Sequence, residues 1–300
     1  MQKCFISSIL VSLLLVLSVT FLGPRPLYAD AELYTGGAPN AEAIGWRIGC
    51  QAYSFNRFTF FEAIDKSSSI GLRCIEAYPG QKLSQETGDV KFDHNISPEL
   101  QQKVKEKLQS ANMKLVNYGV VDLPNDEAES RKVFEFAKAM GIETIVSEPP
   151  PNAIPLVDKL ANEYNIKVAI HNHPKPSMYW DYKKVLEVTK DASPLIGSCA
   201  DTGHWMRSGI KPMEAIEALD TRIISFHLKD LNEFGNRAAH DVVWGTGLAD
   251  IKAILTHLHQ KGFKGVFSIE YEYNWENSLP EISQCVKYFD EVAKELSSKK

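Results

Sequence analysis

Four short apolar runs in the second half of the chain each end in residue types that bind metal ions. They are Val168-Ala169-Ile170-His171-Asn172-His173, Ser198-Cys199-Ala200-Asp201-Thr202-Gly203-His204, Ile224-Ser225-Phe226-His227-Leu228-Lys229-Asp230 and Phe267-Ser268-Ile269-Glu270-Tyr271-Glu272. A helix-like segment separates each from the next. If the runs are parallel strands, His171, Asp201, His227 and Glu270 meet at one end of a sheet, because neighbouring strands lie about 4.8 Å apart. Two imidazoles and two carboxylates suit Mn, Zn, Fe or Co better than Ca or Mg, which prefer oxygen. One divalent ion is therefore the expected cofactor, and an enzyme the expected class. Each residue alone has a plainer reading: Asp201 could simply cap the helix that follows it. Four matched strand ends make that reading a poor account of the set.

The elements that must position these residues are legible as alternation. Apolar runs at 47–53, 73–78, 114–120, 143–147, 167–171, 195–201, 223–228 and 265–271 alternate with amphipathic stretches. In 98–112, Leu100, Val104 and Leu108 share one helical face, with Ser97 as cap and Pro98 at the first helical position. Val133, Phe134 and Ala137 do the same in 126–140, and Gly141 stops that helix. Eight strands alternating with helices predict parallel pairing through crossovers, and near-continuous apolar strands predict a sheet buried on both faces. No glycine-rich phosphate loop follows the first run, which ends Gln51-Ala52-Tyr53-Ser54-Phe55. A single-domain (β/α)8 TIM barrel over 46–300 is expected rather than a doubly wound sheet.

The N-terminus reads as a separate object. Lys3 precedes an apolar stretch over 5–22, then Pro24, Pro26 and Ala29-Asp30-Ala31, the pattern of a cleavable signal peptide over 1–31. Residues 32–45 are small and polar and are expected to form a flexible leader. The protein is thus expected to be exported, periplasmic or extracellular, with no stable membrane span after cleavage. Cys50, Cys74, Cys199 and Cys285 read as buried thiols, and Cys50–Cys74 is the one pairing that an oxidising compartment would make worth testing. No Cys-x-x-Cys occurs. A net charge of −5 without any basic block argues against nucleic-acid partners, since phosphate contacts need clustered Lys and Arg. A homo-oligomer is left open.

Asp201-Thr202-Gly203-His204, His227-Leu228-Lys229-Asp230, the Trp244-Gly245-Thr246-Gly247 turn and Ile269-Glu270-Tyr271-Glu272 occur in that order. Together they resemble the xylose isomerase-like TIM-barrel superfamily, which includes sugar phosphate isomerases and epimerases. The resemblance covers roughly 46–295. It implies Asp201, His227 and Glu270 as metal ligands and His204 as a substrate-binding or acid–base residue. One position departs from the pattern: His171 stands where ketose epimerases of the family have a Glu that is both ligand and base. Glu148, in Ser147-Glu148-Pro149-Pro150-Pro151, could move in instead.

The chemistry so implied is metal-dependent isomerisation or epimerisation of an unphosphorylated sugar or keto-sugar through a metal-stabilised enediolate. The alternative is a lyase or dehydratase acting on an oxidised sugar or glycoside with the same site. A non-catalytic sugar-binding barrel is a third reading. Glu148, His173, His204 and Lys229 are the expected proton carriers, Lys229 with its pKa lowered by the neighbouring ion. Aromatic residues gather near the expected barrel mouth, and Tyr53, Trp205, Trp244 and Glu272 are the expected contacts to a small carbohydrate.

Overall fold

The computed structural model describes residues 33–298. The expected signal peptide lies outside them. Among the described residues, no helix is long and apolar enough to cross a membrane.

Eight parallel strands close into a barrel in chain order: β1 (Arg47–Gln51), β2 (Cys74–Ala77), β3 (Lys114–Tyr118), β4 (Thr144–Ser147), β5 (Lys167–His171), β6 (Ile196–Asp201), β7 (Ile223–Leu228) and β8 (Val266–Ile269), which pairs back to β1. Around it run α1 (Pro39–Ala43), α2 (Phe60–Ser69), α3 (Pro98–Ser110), α4 (Glu127–Met140), α5 (Ile154–Tyr164), α6 (Tyr182–Thr189), α7 (Thr202–Arg207), α8 (Pro212–Leu219), α9 (Ile251–Gln260) and α10 (Leu279–Ser297). Two-residue ladders at Gln81–Lys82 with Lys91–Phe92, and at Asp230–Leu231 with Asp241–Val242, decorate the loops. The expected single-domain (β/α)8 barrel is therefore the fold.

Local chemistry sets the element boundaries. Thr59 and Glu62 form a reciprocal capping box on α2. Ser97 caps α3 as expected, and Asp126 caps α4, which ends on left-handed Gly141. The strands are buried from end to end apart from their first residues, because helices cover the outer face and side chains fill the interior. The sheet register then sets the site. Asp201 lies beside His227 across the β6–β7 pair, and β8 runs beside β7 with Ile269 next to Leu228.

One expectation fails here. Residues 33–45 are not a flexible leader: Ala38 and Ala41 are buried and α1 packs against α10. The Asp290 carboxylate accepts the backbone N–H groups of Asn40 (2.7 Å) and Ala41 (3.1 Å) and the Asn40 side-chain amide (2.6 Å), which ties down the start of the helix. The buried-thiol reading holds, and Cys50 and Cys74 do not pair. All four described cysteines are free and buried. Cys74 aligns with Gly49 and Cys50 with Ile75, so the two thiols sit one position out of register and point to opposite faces of the sheet.

Candidate metal centre

Strands β5, β6 and β7 carry His171, Asp201 and His227 at or near their C-terminal ends, and Glu270 follows β8 directly. All four are buried, and one ligand atom from each lies within 4.8 Å of the others. His171 Nε2, Asp201 Oδ2, His227 Nδ1 and Glu270 Oε2 have no hydrogen-bond partner. Buried polar atoms without partners are costly and rare, and four converging from four consecutive strands form a ready donor set. Neighbouring donors stand 3.5 Å apart for His171–Asp201 and 3.1 Å for His227–Glu270. Around a tetrahedral ion with bonds of about 2.1 Å, donors stand about 3.4 Å apart, so the spacing fits. In type and distance, these residues suit a divalent cation.

The remaining expected site residues surround this set. Glu148 stands behind His171 rather than in its place. Its Oε1 accepts from His171 Nδ1 (3.0 Å), His173 Nδ1 (2.6 Å) and the His173 backbone N–H (3.0 Å). Burial raises the Glu148 pKa, but the bonds from His171 and His173 outweigh it and carry it down to about 2. Burial pushes His171 down as well, yet Asp201 and Glu148 hold it at about 9. His227 is also held above its usual value: Cys199, Glu76 and Glu270 overcome the burial that opposes this. Asn172 exchanges hydrogen bonds with the Asp201 backbone (2.9 and 3.0 Å), locking the β5 and β6 ends together.

Lys229 lies among three carboxylates. Its buried ammonium lies 2.9 Å from Asp201 Oδ2, 2.7 Å from Glu270 Oε2 and 3.0 Å from Glu272 Oε2, as ion pairs rather than aligned hydrogen bonds. Burial lowers its pKa, but the three carboxylates win and hold it well above the usual lysine range. With no ion at the site, Lys229 is the counter-cation to three carboxylates. Gly203 makes room for it, since a Cβ there would meet Lys229 Cβ at 2.8 Å.

His204 is the opposite case. Arg207 Nη1 lies 3.0 Å from its Nδ1 and Lys229 Nζ 3.4 Å from its Nε2. Burial lowers its pKa, the Asp201 charge resists, and Lys229 adds to the fall, leaving it at about 3. The ring is neutral across the physiological range. Glu272 is engaged by Arg207 (2.5 Å) as well as Lys229. Burial raises its pKa, but the Lys229 and Arg207 cations outweigh it and carry the value down to about 2.

A cavity of about 600 Å³ opens above the donor set. His171, His173, His204, Glu270 and Glu272 line one side. Tyr53, Tyr78 and Trp275 line the other as an edge-to-face array, with ring centres 5.1 and 5.7 Å from Tyr53. Trp205 and Trp244, both expected to contact substrate, do not reach the cavity. Trp205 lies wholly buried on α7, and Trp244 is buried against Phe289 of α10. Helix and turn phase, which the sequence pattern does not show, turns both rings into the core.

Sequence reasoning overlooked Glu76 and the part that Asp230 plays. Asp230 does not pair with Lys229. It accepts the backbone N–H groups of Gly245, Gly247 and Ala249, each at 2.9 Å, and a Cβ at Gly247 would sit 2.3 Å from its Oδ1. The link between the His-x-Lys-Asp and Gly-x-Gly motifs is thus a loop clamp. Glu76, on β2, is fully buried and lies 2.7 Å from His227 Nε2. The signal was present: a carboxylate inside the apolar run Cys74-Ile75-Glu76-Ala77 needs partners.

Comparison with known proteins identifies the fold and family. Over 153 residues the chain is 28% identical to an inosose dehydratase of Clostridium tetani, covering 45% of this chain and 51% of that protein. It therefore spans about half the length of the curated relatives it matches. A crystal structure of an uncharacterized protein from Parabacteroides distasonis superposes with a TM-score of 0.67 at 30% identity, over 82% of this chain and 99% of that one. The structure of IOLI protein with a bound zinc atom superposes with a TM-score of 0.65 at 17% identity, over 84% of this chain and 99% of that one. The family description "Xylose isomerase-like TIM barrel" matches residues 64–289, and the chain belongs to that family.

Proposed function

We propose that the protein is a divalent-metal-dependent carbohydrate isomerase that shifts a proton α to a substrate carbonyl. The observation that carries this reading is the convergence of four buried donor atoms, none with a hydrogen-bond partner and the two carboxylate oxygens ion-paired to Lys229, at the floor of a cavity lined by histidines. Held by His171, Asp201, His227 and Glu270, a Mn, Zn, Fe or Co ion would supply a Lewis acid for the carbonyl and adjacent hydroxyl oxygens.

The chain's own residues supply the proton handling. His204 is neutral and lines the cavity. His173 donates its Nδ1–H in a hydrogen bond to the Glu148 carboxylate, which leaves Nε2 as the acceptor nitrogen for substrate. Lys229 and Arg207 keep Glu272 ionised and fixed. Tyr53, Tyr78 and Trp275 offer apolar ring surface to a sugar, and an apolar wall excludes water. The imidazoles and carboxylates come from the β5–β8 side, whereas the β1–β3 side contributes Gln51, Tyr53, Tyr78, Gly119 and Val120. Proton delivery from one side suits a shift between adjacent carbons on one face. The apolar N-terminal segment supports export, and export favours an unphosphorylated sugar or keto-sugar.

Elimination is the second reading, favoured by the similarity to inosose dehydratases. There a cavity histidine, His173 or His204, would take the α-proton and return it to the departing β-oxygen, which leaves as water or an alcohol. The test is incubation of the metal-reconstituted protein with a panel of sugars and keto-sugars in D₂O, followed by NMR. Isomerisation predicts deuterium at the α-carbon of an isomer, and elimination predicts an unsaturated product. Sugar binding with neither exchange nor product would sink both readings in favour of a binding barrel.

A further inference from the structure

Glu76 belongs neither to the donor set nor to the cavity lining. It is fully buried, and each carboxylate oxygen is taken up by side chains from other strands. Oε1 accepts from Gln51 Nε2 of β1 (3.1 Å) and faces His227 Nε2 of β7 (2.7 Å). Oε2 accepts from Ser268 Oγ of β8 (2.6 Å) and Asn117 Nδ2 of β3 (3.1 Å). β2 and β7 are not neighbours, since β1 and β8 lie between them. The carboxylate therefore reaches His227 across the barrel interior.

We propose that Glu76 is a positioning residue that fixes the tautomer and ring orientation of His227, so that its Nδ1 lone pair faces His171, Asp201 and Glu270. A carboxylate whose other contacts are all donors has only acceptor capacity left for His227, so the imidazole must place its hydrogen on Nε2. Nδ1, without a hydrogen-bond partner, is then the free donor atom. A carboxylate behind a ligating imidazole also raises the basicity of the far nitrogen, and losing such a partner typically costs about 10–100-fold in metal affinity. The three other donors hold Glu76 itself in place, so the reach across the barrel is rigid.

This inference rests on the metal reading of the site, and titration of the wild-type protein with Co²⁺ against a competing chelator comes first. Failure of the wild type to bind would remove the metal reading as a whole. If it binds, Glu76→Gln is expected to lower Co²⁺ affinity about 10–100-fold and to alter the visible Co²⁺ spectrum, with the folded circular dichroism signature retained. Asn117→Ala, which removes one donor to Glu76 and spares His227, is expected to lower the melting temperature while leaving affinity within about threefold. Wild-type affinity and spectrum in Glu76→Gln would overturn the proposal and reduce Glu76 to a packing hub. Should Glu76→Gln not fold, ¹H–¹⁵N NMR of the Zn-loaded wild type decides. A proton on His227 Nε2 in a strong hydrogen bond supports the proposal, and a proton on Nδ1 overturns it.

Discussion

Burial alone would leave His171 neutral; Asp201 and Glu148 instead hold its pKa at about 9. A folded-state pKa raised above the unfolded value of 6.5 contributes stability that is fully present below pH 6.5 and lost as pH rises through 9. A bound ion requires the deprotonated ring and must displace that proton. The melting temperature of the metal-free protein is therefore expected to fall between pH 6.5 and 9, while metal affinity rises over the same window. Calorimetry in paired buffers checks both slopes, and a metal-free melting temperature that rises with pH would contradict the assignment. Lys229 supports a second expectation. In Lys229→Met, three carboxylates lose their shared cation, a change that costs about 3–5 kcal/mol when one partner of a buried pair is removed. Urea unfolding of the metal-free variant measures this loss, and added metal should recover part of it. The sequence showed that Lys229 would lie near the site but not which way its pKa would move. That direction depends on how many carboxylates surround it, and only the closed barrel brings Asp201, Glu270 and Glu272 to one ammonium.

The element scale separates what the sequence pattern shows from what it hides. Eight strands and their helices were legible because burial on both faces writes continuous apolar runs, and caps such as Ser97 and Gly141 mark the ends. Residues 32–45 misled because docking by Ala38 and Ala41 leaves no apolar periodicity to detect. Trp205 and Trp244 misled because an aromatic residue in a loop or short helix does not reveal which way it faces. Glu76 was overlooked because its partners come from β1, β3, β7 and β8, contacts that no local pattern encodes. The docked N-terminal helix gives a direct test. Asp290→Ala removes the acceptor for two backbone N–H groups of α1 and should cost about 1–2 kcal/mol, as lost helix caps do. Proteolysis within 33–45 should accelerate, and Co²⁺ affinity should not change, because α1 makes none of the contacts of the donor set. A changed affinity would mean that α10 couples this segment to the site.

Across the whole barrel, the four donors belong to β5, β6, β7 and the end of β8, half of the closed ring. An ion bound there would join those strands at their C-terminal ends, and its binding energy would be available only to the folded state. Mass action then fixes the size of the effect: free metal at a hundred times its dissociation constant adds about 2.7 kcal/mol. For a barrel of this length that is a rise of about 5–10 °C in melting temperature, by extrapolation from slightly smaller domains. Thermal unfolding after chelation, then across a metal series, should show a melting temperature that climbs with the logarithm of metal concentration. Glu270→Gln, which weakens one donor and releases part of the hold on Lys229, should flatten that dependence more than it shifts the metal-free curve. A wild-type melting temperature independent of every metal tried would separate the donor set from any ion. Lys229 would then be the cation that the site is built to hold, and the proton chemistry would have to run on His173 and His204 alone.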